Sequence, residues 1–257
     1  MDIQTFHGTI EGIMDTRFEC IVCNVERAEG ETLWRNLCKD VEALEGMMDR
    51  FDAGSEVGRI NASVPVSGWM VSREMAEVLG LCRRYEELTG GLFDITCGHS
   101  RDYRLGDDGR VTLAGGATLD FGGFAKGYAV ERFKGMLESA GVHDAFVNFG
   151  GSTVMGMGKH PCGDGWSVDV VSPFTRDVVA TVLLNDTTLS TSGNTPWNGL
   201  HIVNPRTGLR VEGGGMACAV SPSPLDAEVL STAAMMLAEE ELNPLKNNFP
   251  DARIWRV

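Results

Sequence analysis

The spacing of apolar residues along the chain predicts four helices. Apolar side chains recur at three- and four-residue intervals in Thr32–Arg50 and in Ser72–Leu88, as on one face of an amphipathic helix. The second segment runs into Gly90-Gly91, a pair that typically ends a helix. Two further segments, Phe124–Leu137 and Ala227–Ala238, are also predicted to be helical.

Shorter apolar runs predict the strands. These are Phe18–Val25, Ala145–Phe149, Trp166–Val171, Val178–Leu184 and His201–Val203. In Trp166–Val171 apolar and polar residues alternate, which predicts a strand with one buried face. Helices dominate the first half and strands follow residue 140, so we expect an α+β fold with mixed or antiparallel sheets and packed helices. With no internal repeat or linker, residues 1–257 are predicted to form a single domain.

Composition and charge narrow the class of function. The 257 residues are 43% hydrophobic and 23% charged, as in a soluble globular protein, and no apolar run is long enough to span a membrane. The net charge of −14, without a basic run, argues against a nucleic acid or an anionic membrane as partner. There is no signal peptide pattern, and the seven cysteines lack a second pair at zinc spacing, so we expect a reducing, cytoplasmic location.

The segment Leu119–Glu131 (LDFGGFAKGYAVE) is the first candidate for chemistry. It suggests an apolar strand end, then a glycine pair, a lysine and the start of a helix. Glycines allow close approach of the backbone, a helix start offers N–H groups, and a lysine neutralises an anion. The same segment is equally compatible with an ordinary strand-to-helix turn carrying a solvated lysine.

Other polar and glycine-bearing segments each have an ordinary structural explanation when taken alone. SEVGRIN reads as a polar turn and TGGLFDIT as a helix cap followed by a strand. VNFGGS reads as a strand end whose Gly-Gly-Ser could expose amides to a ligand, and the small residues of LSTSG could donate hydrogen bonds to a phosphate. The histidine of HIVNPRTG fits a strand edge, and the acids of DAEVLST fit a helix N-terminus.

In sequence order, these segments resemble the ApbE family, the FAD:protein FMN transferases. The resemblance runs from about Met14 to Leu237, and TGGLFDIT, DFGGFAKGYAV and HIVNPRTG are its most specific parts. It implies a compact ApbE-like (T-fold-related) architecture. It also implies a Mg²⁺-dependent enzyme that transfers FMN from FAD to a Thr or Ser hydroxyl of an acceptor flavoprotein domain, with release of AMP.

The resemblance also implies roles for individual residues. Met14 and Phe51 match positions that hold the flavin, and His201 and Lys126 match the catalytic positions beside the pyrophosphate. The positions that match the remaining FAD-binding blocks are Asp94, Thr96, Gly122, Lys126, Gly150, Gly151, Ser152, Ser190, Thr191, Ser192 and Gly193. Those that match the metal ligands are Gly123, through its carbonyl, Glu228 and Thr232.

The chain departs from the family pattern at two of these blocks. Glu228 stands where the family has an aspartate, and Asp15 stands where it has a glycine. Asp226 could replace the usual aspartate, although it lies off the helical face that Glu228 and Thr232 share. Two alternatives to the transferase therefore stay open. One is an FAD pyrophosphatase that releases FMN and AMP, and the other is a non-catalytic FAD-binding protein with an altered metal site.

Overall fold

A computed structural model describes residues 4–99, 102–195, 199–213 and 215–257. The strands in these ranges are β1 Thr5–Ile13, β2 Thr16–Cys23, β3 Val66–Met70, β4 Tyr103–Leu105, β5 Arg110–Leu113, β6 Ala145–Phe149, β7 Thr153–Met157, β8 Trp166–Val171, β9 Val178–Leu184, β10 Thr187–Gly193, β11 Val203–Asn204, β12 Leu209–Arg210, β13 Met216–Ser221 and β14 Arg253–Arg256. The α-helices are α1 Arg27–Met48, α2 Glu56–Ala62, α3 Arg73–Leu88, α4 Ala125–Ser139, α5 Pro224–Ala234 and α6 Asn243–Asn248.

A seven-stranded sheet organises the chain. Its order is β1-β2-β6-β7-β10-β13-β14, and every neighbouring pair is antiparallel. Helices α1, α4 and α5 pack against one face through the main hydrophobic core. The β8–β9 hairpin covers part of the other face, where Trp166 stacks on Phe146 with ring centroids 5.3 Å apart. The predicted combination of antiparallel sheets and packed helices is therefore present.

The two faces of this sheet explain the first pair of cysteines. Cys20 lies in the main core and Cys23 lies in the smaller core beneath the β8–β9 hairpin. Their side chains leave opposite faces of β2, as the strand prediction requires. All seven cysteines are free thiols.

The predicted helices all exist, with shifted ends. α3 begins after Ser72, whose hydroxyl accepts a hydrogen bond from the Met75 amide, and it ends just before Thr89 and the glycine pair. α1 starts before the predicted Thr32 because its first turn packs on β1, where Phe6 lies against Gly30. α5 ends before the predicted Ala238.

The early end of α5 has a local cause. The Arg256 guanidinium on β14 donates to the carbonyls of Ala234, Met235 and Leu237 at 2.9, 2.9 and 3.1 Å. A helix terminus leaves its last carbonyls short of partners, and Arg256 caps this end of α5, where the Ala234 carbonyl also accepts from the Leu237 amide at 3.2 Å.

The strand predictions were less complete. Ala145–Phe149, Trp166–Val171 and Val178–Leu184 coincide with β6, β8 and β9, and β2 covers most of Phe18–Val25. The predicted strand His201–Val203 is wrong for its first two residues, since β11 begins at Val203. The helical character expected of the first half is also wrong in part, because β1 and β2 open the chain there and β3, β4 and β5 form a second sheet.

The contact between α4 and α5 sets the geometry of the site. A Cβ atom added at Gly127 on α4 would lie 2.4 Å from Cβ of Glu228 and 3.0 Å from the Pro224 carbonyl oxygen on α5. Only glycine allows this approach. It brings the start of α4 directly beside Glu228.

We expect Gly127→Ala to destabilise the fold, because the new methyl group forces α4 and α5 apart. Overpacking of this kind costs about 1–3 kcal/mol. Gly135→Ala on the same helix is the matched control, since a Cβ at Gly135 meets no atom within 4 Å. Its better helix propensity should stabilise the protein by roughly 0.5–1 kcal/mol. Urea unfolding measures both, and equal effects of the two substitutions would contradict the packing argument.

Candidate functional site

Most of the predicted site residues surround one cavity of about 590 Å³. The cavity is bounded by the loop before α4, the turn between β6 and β7, strand β10, helix α5 and the segment that contains His201. The predicted residues on its wall are Asp94, Gly122, Gly123, Lys126, Gly150, Gly151, Ser152, Thr191, Ser192, Gly193, His201, Glu228 and Thr232.

The segment before α4 is not the strand end that the sequence suggested. Leu119 lies outside the strands and is held by the side chain of Asn61, which donates to the Leu119 carbonyl at 2.9 Å and accepts from its amide at 2.8 Å. The Asn61 side-chain amide thus satisfies both backbone groups of Leu119, as a neighbouring strand would. This bond gives the SEVGRIN block a role, because it fixes the chain just before Gly122 and Gly123.

Lys126 is the second residue of α4. The residue that precedes the helix, Phe124, makes no side-chain cap, so no side chain of that residue covers the amides of the first turn. A helix N-terminus with a lysine beside it attracts anions. The anion site at this position stays a prediction.

Glu228 on α5 is the most constrained charge in the cavity. Its side chain is buried, with 3% of the residue exposed. One carboxylate oxygen, Oε2, accepts hydrogen bonds from the hydroxyls of Thr153 and Ser190, the latter at 2.9 Å. The other, Oε1, lies 3.1 Å from Nζ of Lys126. A buried carboxylate is costly unless it is paired and hydrogen-bonded, and this one is both.

A chain of hydroxyl groups continues from Glu228 along the contact between β10 and α5. Oγ of Ser231 lies 3.0 Å from Oγ of Ser190 and 2.9 Å from Oγ of Ser192. Ser192 in turn lies 3.2 Å from Oγ1 of Thr232. The LSTSG block is therefore part of a strand whose hydroxyls meet a helix, and Ser190 itself lies beneath the cavity wall.

The predicted metal ligands come together as oxygen donors. A Cβ at Gly123 would lie 2.8 Å from Oγ1 of Thr232, so the backbone of Gly123 and this hydroxyl are neighbours. A carboxylate, a hydroxyl and a carbonyl are donors that Mg²⁺ accepts, together with phosphate oxygens and waters. No group of three or more His, Cys, Asp or Glu side chains in the described ranges forms a ready-made metal cage. The chemical types of these three ligand groups suit Mg²⁺, although one carboxylate oxygen of Glu228 also contacts Lys126.

Asp226 does not take the place of the family aspartate. Its Oδ1 accepts a hydrogen bond of 2.6 Å from the Tyr85 hydroxyl, and the residue is not on the cavity wall. Burial raises the pKa of Asp226. Its backbone amide also donates to Ser223, the N-cap of α5, so its role is to anchor the helix start.

The VNFGGS block forms the tight turn between β6 and β7. Gly150 and Gly151 both have φ of +65°, a left-handed conformation that glycine adopts without strain. The Gly151 amide donates to the Asn148 side chain at 2.9 Å, and the Ser152 carbonyl accepts from the Thr191 amide at 2.8 Å. The glycines thus present backbone at the cavity.

His201 lies on the cavity wall and is exposed to solvent. Its Nδ1 is 3.3 Å from the carbonyl oxygen of Gly199, which can only accept a hydrogen bond. The neutral ring therefore carries its proton on Nδ1, which leaves Nε2 as an acceptor. This tautomer suits a group that receives a proton.

Met14 and Phe51 lie around a second, smaller pocket of about 160 Å³. The two pockets share Asp120, Gly122 and Lys126 on their walls. Phe51 is 78% exposed, and the Arg50 guanidinium lies 4.5 Å from its ring centroid. The predicted flavin positions are therefore separate from the main cavity and adjoin it at the start of α4.

The departure at Asp15 has a conformational explanation. Met14 and Asp15 form the turn between β1 and β2, with φ of 47° and 57°. Aspartate tolerates this left-handed conformation better than most residues, although glycine adopts it more freely. The Met14 amide donates to Oε1 of Glu45 at 2.6 Å, which fixes the turn at the rim of the second pocket.

Asp94 and Thr96 form the TGGLFDIT loop, which contains no strand. Oδ1 of Asp94 accepts from the amide and the hydroxyl of Thr96 at 2.7 and 2.6 Å, and Oδ2 accepts from the Gly98 amide at 2.9 Å. Thr96 is buried and does not reach the cavity wall. Its role is to support the loop that carries Asp94.

Sequence reasoning missed several residues of the site. Asp120 lies on both pockets and pairs with Arg50 at 3.0 Å, and its position within the DFGG block was the available signal. The Thr153 hydroxyl donates to the Glu228 carboxylate, and the Ser231 hydroxyl donates to the Glu228 backbone carbonyl. No sequence motif around Thr153 indicates this role.

Cys97 also lies on the wall of the main cavity. Burial and the nearby Asp120 and Asp94 carboxylates raise the pKa of its thiol to about 11. The thiol therefore stays protonated near neutral pH and is not poised as a nucleophile.

Comparisons with known proteins agree with this geometry. The profile of the ApbE family matches residues 14–105 and 100–253 of the chain. Within the described residues, none of the helices has the length and apolar character needed to cross a membrane.

Similar proteins carry a transferase name, in agreement with the predicted enzyme class. An FAD:protein FMN transferase of Klebsiella pneumoniae (strain 342) is 23% identical over 272 residues, covering 89% of this chain and 77% of that protein. Another, from Haemophilus influenzae, is 26% identical over 252 residues and covers 80% and 71%.

Solved structures share the fold. The ApbE protein of Thermotoga maritima superposes with a TM-score of 0.84 at 22% identity, covering 98% of this chain and 93% of that one. The flavin transferase ApbE of Vibrio cholerae gives a TM-score of 0.83 at 18% identity, with the same coverage. The expected ApbE-like α+β fold is therefore confirmed. With the profile match spanning most of its length, the chain belongs to the ApbE family.

Proposed function

We propose that the protein is a Mg²⁺-dependent FAD:protein FMN transferase that joins FMN to a Thr or Ser hydroxyl of an acceptor flavoprotein and releases AMP. The observation that carries the proposal is the cavity in which Lys126, Glu228 and Thr232 lie together, with His201 on the same wall. The two pockets share Gly122 and Lys126 on their walls, and adjacent pockets with a lysine between them suit an elongated ligand with an anionic centre.

FAD would lie across both pockets. Its pyrophosphate would sit at the start of α4, where Lys126 and the first-turn amides offset the negative charge. Its flavin would enter the smaller pocket between Met14 and Phe51, where exposed Phe51 offers an aromatic surface. The AMP half would occupy the larger cavity.

The metal would be held by Glu228, by the Thr232 hydroxyl and by the Gly123 carbonyl. When bound, Mg²⁺ polarises the phosphoryl oxygens and neutralises the charge that develops on the leaving phosphate. The chain's own residues do the remaining work. Lys126 binds the pyrophosphate, and the Thr153 and Ser190 hydroxyls hold the Glu228 carboxylate in a fixed orientation.

The reaction breaks one bond of the pyrophosphate and forms one phosphoester. The acceptor hydroxyl attacks the phosphorus on the flavin side of FAD, and AMP leaves with the bridging oxygen. The hydroxyl proton passes to Nε2 of His201, whose other nitrogen donates to the Gly199 carbonyl. Positioning and charge neutralisation supply most of the catalysis in such transfers.

The direct test is to incubate the protein with FAD, Mg²⁺ and a flavoprotein acceptor domain that carries a target Thr or Ser. The expected result is an acceptor with covalent flavin fluorescence on a denaturing gel, and one AMP released per flavin attached. An acceptor with Ala at the target position is the control. Release of FMN and AMP without labelling would favour the pyrophosphatase, and FAD binding without turnover would favour the non-catalytic alternative.

We expect His201→Ala to lower kcat by about 10²–10⁴, the usual contribution of a general base, and to leave FAD affinity nearly unchanged. The loss should shrink at high pH, where more of the acceptor hydroxyl ionises without help. His143→Ala is the control, because His143 is exposed and lies off the cavity wall. Steady-state transfer rates at several pH values measure the effect. Equal rates for the two variants would exclude His201 as the base.

We expect Asp94→Ala to weaken FAD binding, because the loop loses all three hydrogen bonds to the Asp94 carboxylate. Each such bond contributes about 0.5–1.5 kcal/mol. Asp108→Ala is the control, since Asp108 accepts a comparable bond from the Arg110 amide in a turn away from the cavity. FAD fluorescence titration and thermal unfolding measure the two effects. Equal FAD affinities of the Asp94→Ala and Asp108→Ala variants would contradict the role given to the Asp94 loop.

A further inference from the structure

We propose that Lys126 acts as a placeholder for the metal on Glu228. Its ammonium pairs with the Glu228 carboxylate. Mg²⁺ bound at that carboxylate would displace the ammonium, which would then move to the pyrophosphate of FAD. Lys126 thereby couples metal binding to FAD binding. The inference rests on the proposed function for the identity of metal and ligand, and it goes beyond it in assigning Lys126 two successive partners.

The first support is that Lys126 contacts the one Glu228 oxygen that the sheet hydroxyls leave open. Oε2 accepts from two hydroxyls, Thr153 and Ser190, and Oε1 faces Nζ of Lys126 at 3.1 Å. The hydroxyl donors belong to β7 and β10 in the middle of the sheet, so the Oε2 side is fixed by the fold. A metal that approaches from the cavity would therefore meet Oε1, the oxygen that faces Lys126.

The second support is electrostatic. A divalent cation on Oε1 would lie within a few ångströms of the ammonium, and two cations on one largely buried carboxylate repel each other. The fold holds Oε2 in place, whereas Lys126 has a flexible four-carbon stem and a side chain that is 22% exposed. Lys126 is therefore the group that moves.

The third support is that few other partners await the displaced ammonium. Besides Glu228, the described carboxylates on the main cavity wall are those of Asp94 and Asp120. The smaller pocket, which Lys126 also lines, adds Asp15, Glu45 and Asp49, of which Glu45 and Asp49 accept hydrogen bonds from the Met14 and Phe51 amides. Asp120 pairs with Arg50 at 3.0 Å, and both oxygens of Asp94 accept hydrogen bonds within their own loop. A phosphate anion at the start of α4 would supply the partner that the wall does not.

The consequence is reciprocal cooperativity. Without FAD, metal binding must break the Lys126–Glu228 pair, so the metal affinity is low. With FAD, the phosphate stabilises the displaced ammonium, so the metal affinity rises. By linkage, the metal must raise the affinity for FAD by the same factor.

The first experiment measures Mn²⁺ binding to the FAD-free protein by the electron paramagnetic resonance signal of free Mn²⁺. We expect Lys126→Met to bind Mn²⁺ about tenfold more tightly than the unmodified protein, because the competing cation is gone. Lys134→Met is the matched control, since Lys134 is on the same helix and its Nζ donates to the Pro222 carbonyl off the cavity wall. Its Mn²⁺ affinity should not change. Equal or weaker Mn²⁺ binding by folded Lys126→Met would overturn the proposal.

The second experiment uses the unmodified protein, so it does not depend on the folding of a variant. Brief acetylation with acetic anhydride, followed by peptide mass spectrometry, reports the accessibility of each lysine. Labelling of Lys126 relative to Lys134 should rise when Mg²⁺ is added without FAD and fall again when FAD is added. Competition with Mn²⁺ establishes the Mg²⁺ concentration that saturates the site. Unchanged Lys126 labelling at that concentration would refute the displacement.

Neither experiment contains an acceptor or measures transfer, so the two proposals fail separately. Flavin transfer together with unchanged Lys126 labelling would remove the placeholder and leave the transferase intact. Metal-dependent labelling without any transfer would do the reverse.

Discussion

The rest of the site depends on one buried carboxylate. Glu228 lies between a helix and the middle of the large sheet, where an isolated negative charge would be very costly. The fold meets this cost with hydroxyl donors from β7 and β10 on one side and the Lys126 ammonium on the other. These three partners come from distant parts of the chain, so the site forms only when the whole sheet and both helices are assembled.

The close approach of α4 and α5 makes that arrangement possible. Gly127 has no side chain to hold the helices apart. Lys126, the residue before it, therefore reaches Glu228, and Gly123, just before α4, lies beside Thr232. The glycines of the DFGGFAKGYAV segment thus serve two purposes. Gly123 and Gly127 permit helix contact, while Gly122 follows Asp120 at the junction of the two pockets.

The longer glutamate side chain changes the balance of charges at the site. Its carboxylate reaches the sheet hydroxyls and the lysine together, so its negative charge is offset within the protein. Under the proposed function, a metal would have to compete with Lys126 for this carboxylate. Asp226 does not compensate for the departure at Glu228, because its carboxylate is bound to Tyr85 away from the cavity.

Local sequence determined the elements that have a strong periodic signal. The apolar stripe of α3, its Ser72 cap and its terminal glycines were readable, as was β8 with its alternating burial. Strand β1 gave little signal because it is an edge strand with few buried side chains. Strand β10 was not among the predicted strands, because its serines and threonines look solvent-exposed in sequence, although several are buried against α5.

The family motifs also contain most of the residues on the cavity wall, because their glycines, lysine and histidine occur in the same order as in the family. Only the tertiary structure decided what these residues do to one another. Whether Glu228 is free or paired depends on Thr153, Ser190 and Lys126, which are far from it in sequence and are brought close by antiparallel pairing and helix packing. Hydrophobic periodicity reports which face of an element is buried, but the charge state and partners of a buried polar group depend on distances that no local pattern encodes.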